Sequence, residues 1–325
     1  MLNLERLKTL CLIPGISSRE EKIRKSIINN LNPKEYFVDK IGNLIIKKGD
    51  QNKKLLLMAH MDEIGFLITS IRENGSLILR KVGGIPDEIL QSRFIEIITE
   101  SKTIDGVIGS VPPHLKRDNV NFELVADVGV ETKNDVLNMG IKIMDYAVFK
   151  KTFLKIGNYI SCRALDDRFG CYVLEEVYKN SSPKNEIIFA WTVQEEIGLN
   201  GAKALSNEIY GLDLAIAIDS FACCSKQNQH IKFGNGPIIR FVDNSGISSF
   251  EYSKKIIEIA KKHDIPLQVG STGGGTDGSV FVEKGVPFVA LSVAVKYLHS
   301  TVEMVHLDDL KNLIKLISAI VEEEL

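Results

Sequence analysis

The sequence predicts an α/β protein: a mostly parallel sheet with helices on both faces, carrying an inserted β-rich, barrel-like module. Three observations predict it. Apolar runs of strand length alternate with helical periodicity at both ends of the chain, which implies parallel strands joined by crossover helices. The run Leu55-Leu56-Leu57-Met58-Ala59 is apolar at every position, as a strand buried on both faces requires. From Phe66 to Lys155 the texture changes to short strands separated by turn dipeptides. The expected units are therefore 1–65 with 156–325 as the α/β part, and 66–155 as the insert. A chain of 325 residues has room for about two domains.

The elements follow in order. Two helices open the chain, and Ser17 with Glu20 reads as a capping box for the helix running to Leu31. Short strands are expected at Tyr36–Asp39 and Asn43–Lys47, then the buried strand Lys54–His60. In the insert, Asn74-Gly75 predicts one hairpin turn and Asp105-Gly106 a second, with a short helix near Asn134–Met139. Helical periodicity resumes over Asp166–Lys179. Strands are expected at Glu186–Val193, Leu214–Ile218 and Val286–Val293. Helices are expected at Asn200–Leu205, Phe250–His263, Asp277–Lys284 and Leu307–Val321.

Composition excludes several classes. Hydrophobic residues at 44% and charged residues at 25% can build a core, which excludes general disorder. Lys+Arg of 40 against Asp+Glu of 42 leaves no basic field for nucleic acid. The first six residues carry charge where a signal peptide needs an apolar run. The stretch Gly285 to Val295 is interrupted by Pro287 and falls short of the ~20 residues a membrane span needs. A cytoplasmic protein that does not touch membranes is expected. Five cysteines, an odd number without C-x-x-C spacing, argue against a disulfide framework and a zinc ribbon. Cys223-Cys224 reads as a pair of small buried hydrophobes.

The chemistry collects at strand ends. His60 and Asp62 follow one strand, Glu195 and Glu196 a second, Asp219 a third, and His299 a fourth; Asp166-Asp167 open a helix. Ligands of open α/β sheets bind outside the carboxyl ends of the strands, so these residues converge on one edge. Alone, each has an ordinary reading: a loop histidine, a solvated Glu pair, acids favoured by a helix dipole. Together they do not, because adjacent carboxylates occur twice beside apolar strands or helix starts. Imidazole and carboxylate suit Zn²⁺, Co²⁺, Mn²⁺ or Fe²⁺. The carboxylates exceed what one tetrahedral ion holds. Two ions sharing a carboxylate, with one further carboxylate free to move protons, is the usual hydrolytic solution. Gly273 to Gly278 matches G-x-G-x-x-G without the acidic partner of a nucleotide site. It reads as a backbone-rich loop beside the centre, with Gly274 and Gly275 as candidate substrate contacts.

Six segments carry a family resemblance. They are Ala59-His60-Met61-Asp62-Glu63-Ile64-Gly65, Arg163-Ala164-Leu165-Asp166-Asp167-Arg168 and Thr192-Val193-Gln194-Glu195-Glu196-Ile197-Gly198-Leu199. The other three are Ala217-Ile218-Asp219-Ser220, Gly275-Thr276-Asp277 and Tyr297-Leu298-His299-Ser300. In this order they resemble the M42 family of metallo-aminopeptidases, over essentially the whole chain. The resemblance implies an aminopeptidase acting on short peptides with two divalent ions per subunit, zinc or cobalt first, manganese or iron as alternatives. It implies His60, Asp166 and Asp219 at the first ion, and Asp166, Glu196 and His299 at the second, with Asp166 bridging. It implies Glu195 as general base, Asp62 orienting His60, and a cis bond between Asp166 and Asp167. It further implies that the insert serves dimerisation, that the enzyme is a dimer-based homo-oligomer of up to twelve subunits, and that His114 reaches a neighbour's substrate pocket. Two segments depart from the pattern. Met144-Asp145 stands where the family commonly reads Gly-Asp, and Lys296 where it commonly reads Arg. Some relatives are labelled endoglucanases, so a glycoside hydrolase is the runner-up. Two carboxyls flanking a sugar cleft would suffice for that chemistry, and the two histidines would then have no role. A non-catalytic scaffold would be expected to lack Glu195 or a ligand, and none is missing.

Overall fold

The strand Lys54–His60 lies at the centre of the large sheet, and its composition says why: every residue from Leu55 to His60 is buried. The structure, a computed structural model, describes residues 2–50, 53–116, 121–223 and 228–323. The chain opens with α1 (Leu4–Leu12), α2 (Glu21–Leu31), β1 (Phe37–Val38), β2 (Leu44–Lys48) and β3 (Lys54–His60). Next come β4 (Gly65–Ile71), β5 (Leu77–Val82), β6 (Arg93–Ile98), β7 (Thr103–Ile108) and α3 (Pro113–Lys116). They are followed by β8 (Val125–Ala126), α4 (Lys133–Asn138), β9 (Tyr146–Phe149), β10 (Leu154–Ile156) and β11 (Tyr159–Ser161). Then follow α5 (Leu165–Asn180), β12 (Glu186–Thr192), α6 (Asn200–Leu205), β13 (Leu214–Ala222) and β14 (Ile238–Val242). The chain closes with α7 (Phe250–Lys262), β15 (Gln268–Ser271), β16 (Phe288–Lys296), β17 (Met304–His306) and α8 (Leu307–Glu322).

The large sheet runs β1-β2-β12-β3-β13-β16-β17-β11-β10, with β14 and β15 attached beside β16. Its centre, β12, β3, β13 and β16, is parallel. Alternation along β3 feeds two cores. Leu55, Leu57 and Ala59 pack with Leu7, Ile23, Phe169 and Leu313 of α1, α2, α5 and α8. Leu56 and Met58 pack with Ala202 and Leu205 of α6 and with Phe281 of the 3-10 segment Asp277–Lys284. Each buried leucine contributes about 1.5–3 kcal/mol, so both faces need their helices.

The second sheet is antiparallel, in the order β7-β6-β9-β4-β5-β8. It has a core of its own, in which Phe66 meets Phe149 edge to face at 5.1 Å between ring centroids. A bridge between Val107 and Asp127, with both N–H···O distances 2.9 Å, joins the edge strand β7 to the end of β8. The sheet is thereby a nearly closed barrel, which removes its open edge. Strand β10 pairs with β11 in the large sheet.

Asn74-Gly75 makes the predicted turn, with Gly75 at φ 82°, where a Cβ would lie 2.5 Å from the Val130 oxygen. The second hairpin exists, but its turn is not at Asp105-Gly106. Those residues lie inside β7, paired with Glu96 and Ile95. The reversal is at Thr99–Lys102, where the Thr99 hydroxyl accepts from the N–H groups of Ser101 and Lys102. Gly106 serves the barrel closure instead: a Cβ there would come within 3.1 Å of the Asp127 oxygen. Two strands also outrun their expected ends. β13 continues past Ile218 to Ala222, and β16 spans Phe288–Lys296.

Candidate metal centre

Parallel strands of unequal length build the site. β3 ends at His60, paired with Thr192 at the end of β12. β13 pairs with β3 only as far as Ala217↔Met58, whereas its pairing with β16 continues through Asp219↔Ser292 to Ala222. Asp219 therefore sits within a strand, yet beyond the end of its β3 neighbour, where its side chain reaches the sheet edge. Asp166 enters from the start of α5. There Ala164 has φ 62°, the Asp166–Asp167 peptide is cis, and neither aspartate has helical backbone angles. His299, at φ 58°, enters from the loop between β16 and β17.

Two triads result, His60 with Asp166 and Asp219, and Asp166 with Glu196 and His299; within each, ligand atoms lie within 4.8 Å of one another. Asp166 belongs to both. Its Oδ1 is 3.4 Å from His60 Nε2, and its Oδ2 is 3.5 Å from His299 Nε2. His299 Nε2 lies 3.4 Å from Glu196 Oε2. Glu195 is in neither triad, although its Oε2 comes within 3.9 Å of His60 Nε2.

Beneath these residues Asp62 is fully buried. It lies 3.4 Å from His60 Nδ1 and accepts the N–H groups of Glu195 and Glu196 at 3.0 and 3.2 Å. One residue thus orients the imidazole and fixes the Glu-Glu pair. The Ser17 hydroxyl donates to Asp62 at 2.7 Å. That contact replaces the expected capping box: α2 begins at Glu21 with no side-chain cap, and Glu20 accepts from the N–H groups of Ser18 and Gln194.

Three further residues frame the site: Arg240 and Glu303 lie in no motif, and Asp277 ends the segment Gly275-Thr276-Asp277 without a role assigned to it from the sequence. Arg240, buried in β14, lies 3.4 Å from Asp219 and donates to the carbonyls of Ser220, Gly273 and Gly275. A charged residue inside the otherwise apolar run Ile238–Val242 was the available clue. Asp277 accepts from Thr192 Oγ1. Glu303 accepts from the main chain of both Asp166 and His299.

Electrostatics test whether divalent ions fit here. Burial, with the charges of Asp219, Glu196 and Asp277, pushes Glu195 well above the usual carboxylate range. Burial and the charge of Asp166 push Glu196 to about 8, and burial raises Asp219. Burial opposes a charge on His299, but Asp166 and Glu196 raise it to about 10. Burial also opposes the charges of Asp166 and His60, yet the two imidazoles, His299 first and then His60, hold Asp166 far down, and the carboxylates of Asp166, Asp62 and Glu195 hold His60 well up. The site is an excess of crowded negative charge. Asp166 Oδ1 is buried without a hydrogen-bond partner, a state native carboxylates rarely keep. Imidazole and carboxylate oxygen in two three-residue sets suit borderline divalent cations. The residues fit two such ions.

The triads open into a cleft of about 500 Å³, which Gly274 and Gly275 line. His114 is exposed on α3 and does not line it. Lys296 points elsewhere, its ammonium 4.4 and 4.6 Å from the ring centroids of Tyr159 and Phe233. Cys223 is half-buried against a small apolar cluster, and Cys224 lies outside the described residues.

Comparison with known proteins decides the family. The model of M42 glutamyl aminopeptidases matches residues 42–316. The chain belongs to the M42 family. It is a metal-dependent aminopeptidase. Among solved M42-like structures it is similar to a TET1 peptidase of Pyrococcus horikoshii, at 49% identity and TM-score 0.94 over 99% of both chains. It is also similar to an aminopeptidase of Desulfurococcus kamchatkensis, at 32% identity and TM-score 0.92 over 98% and 94%. The lysyl aminopeptidase of Pyrococcus furiosus is 31% identical over 99% of this chain and 98% of its own. At Met144, where the family resemblance leads to an expected glycine, the backbone holds φ 78°, a left-handed conformation that favours glycine. Among the described residues no helix is long and apolar enough to cross a membrane.

Proposed function

We propose that this M42 enzyme removes N-terminal residues from short peptides in the cytoplasm, with zinc or cobalt in both triads and Glu195 as the proton carrier. The observation that carries the role assignment is the sharing of Asp166 by two complete triads while Glu195 stands beside them, outside both. Bound divalent ions supply Lewis acidity and a water of lowered pKa. Glu195 accepts the proton of that water at its carboxylate and returns it to the leaving amine nitrogen. Asp62 keeps Glu195 in reach by holding its N–H, and keeps the His60 ring in plane through Nδ1. A peptide's terminal ammonium is complementary to a cleft rich in carboxylates.

The test pairs metal analysis with chelation. The purified protein is expected to carry about two ions per chain. A chelator is expected to abolish hydrolysis of aminoacyl-p-nitroanilides, and added Zn²⁺ or Co²⁺ to restore it. Hydrolysis of cellulose oligomers that survives chelation would instead favour a glycosidase.

The second sheet is proposed as the assembly module. The Pyrococcus horikoshii TET1 peptidase is described as assembling into a tetrahedron or a large octahedral shell, which supports a homo-oligomer here too. His114 then belongs beside a neighbouring subunit's cleft, in keeping with its exposure on α3. Light scattering is expected to give an oligomer for the full chain. Replacing 66–149 with a Gly/Ser linker is expected to give a smaller species. That replacement keeps Lys151, whose ammonium pairs with buried Glu63 at 2.9 Å. A full-length monomer at micromolar concentration would remove the assignment.

A further inference from the structure

Asp166 and His299 come from different elements, and both leave regular backbone where they enter the site. Their N–H groups therefore need acceptors outside helix and sheet. One buried side chain, 2% exposed, serves both. Glu303 Oε2 accepts from Asp166 N at 3.2 Å, and Glu303 Oε1 accepts from His299 N at 2.9 Å. The Glu303 carbonyl also accepts from Cys162 N at 3.1 Å, which ties the same loop to the chain just ahead of Asp166.

We propose that Glu303 is a positioning residue that sets the separation of Asp166 and His299 and thereby the affinity of the second ion. The inference rests on the ligand reading given above. Glu196, the third member of that triad, is held separately by Asp62. The first triad takes only Asp166 from this clamp, since His60 is oriented by Asp62 and Asp219 lies against Arg240. Loosening Glu303 therefore acts on two of three ligands at the second position and on one of three at the first.

Glu303→Gln isolates the effect. A carboxamide has one acceptor oxygen, and its NH₂ then faces a main-chain N–H, donor against donor. The Cys162 contact uses the main chain and persists. The metal-free wild type, Glu303→Gln, Glu303→Ala and His299→Ala are titrated with Co²⁺ by calorimetry and visible absorption, with circular dichroism confirming the fold. Outer-shell partners of metal ligands typically carry a 10–100-fold effect on affinity. The expected result for Glu303→Gln is a second-ion affinity weaker by about that factor, with the first within about three-fold. His299→Ala should lose the second ion outright. Unchanged affinities, or equal weakening at both positions, would overturn the proposal. If Glu303→Ala fails to fold, the isosteric Gln variant decides alone. A wild type that takes up fewer than two Co²⁺ ions would overturn the ligand reading itself, and this inference with it.

Discussion

Glu195→Gln is expected to keep both ions and the fold while losing about 10²–10⁴-fold in turnover, the usual cost of removing a general base. That corresponds to about 3–5 kcal/mol of transition-state stabilisation. The substitution changes no volume. The Glu195 N–H that Asp62 accepts is main chain and survives it. Neither triad contains Glu195, so metal content has no reason to fall. What disappears is the only function a carboxylate has and an amide lacks at that place, the capacity to take a proton. Glu195 faces His60 at 3.9 Å and also sits among Asp219, Glu196 and Asp277, so a neutral side chain there gives up that one contact, relieves the crowding of like charge and adds no buried charge. Steady-state kinetics on an aminoacyl-p-nitroanilide, beside metal analysis of the same sample, separate the outcomes. Turnover within a few-fold of wild type would show that the proton travels by another group. Loss of an ion together with activity would make Glu195 a ligand instead.

The candidate site was legible because its members stand at the ends of apolar strands, where a charged side chain is conspicuous. His60 follows Leu55–Ala59, Glu195 and Glu196 follow β12, and the structure brings them together with Asp166, Asp219 and His299. What stayed hidden depended on partners distant in the chain. Ser17 and Glu20 have the spacing of a capping box, but Asp62, 45 positions away, competes for the hydroxyl and prevails because a buried carboxylate needs donors. Asp105-Gly106 has the composition of a turn, yet the glycine is required where Asp127 approaches β7. The true reversal uses Thr99, whose hydroxyl caps the turn without any glycine. The polarity of Asp219 ends the apolar run at Ile218, whereas pairing with β16 carries β13 onward to Ala222. Arg240 and Glu303 lie in no motif, and their roles come from what β14 and the β16–β17 loop bring beside the ligands. Local pattern locates ligands; the groups that hold ligands are set by tertiary contacts.

Asp166→Ala is expected to reduce metal content more than the loss of any unshared ligand. The two oxygens of this carboxylate face different triads, Oδ1 toward His60 and Oδ2 toward His299. Removing them leaves His60 with Asp219 on one side and Glu196 with His299 on the other. Two protein ligands fall short of the three a catalytic zinc site ordinarily has, so neither remnant should retain its ion through dialysis. Asp219→Ala damages only the first triad and Glu196→Ala only the second, so each should keep about one ion per chain and Asp166→Ala fewer. The fold has reason to survive. The Asp166 N–H that Glu303 accepts is main chain, and deleting a carboxylate relieves repulsion on Glu196 and Asp219, both of which Asp166 pushes upward. Hydrolysis should fall to background, because both the Lewis acidity and the acidified water leave with the ions. Metal stoichiometry of the dialysed variants, read by plasma mass spectrometry, is the deciding measurement. Two tightly held ions in Asp166→Ala would mean that the triads do not depend on a shared carboxylate. One ion, equal to the count in Asp219→Ala, would place Asp166 in a single triad and leave the other to be completed by a different side chain, with Glu195, 3.9 Å from His60 Nε2, a carboxylate within reach.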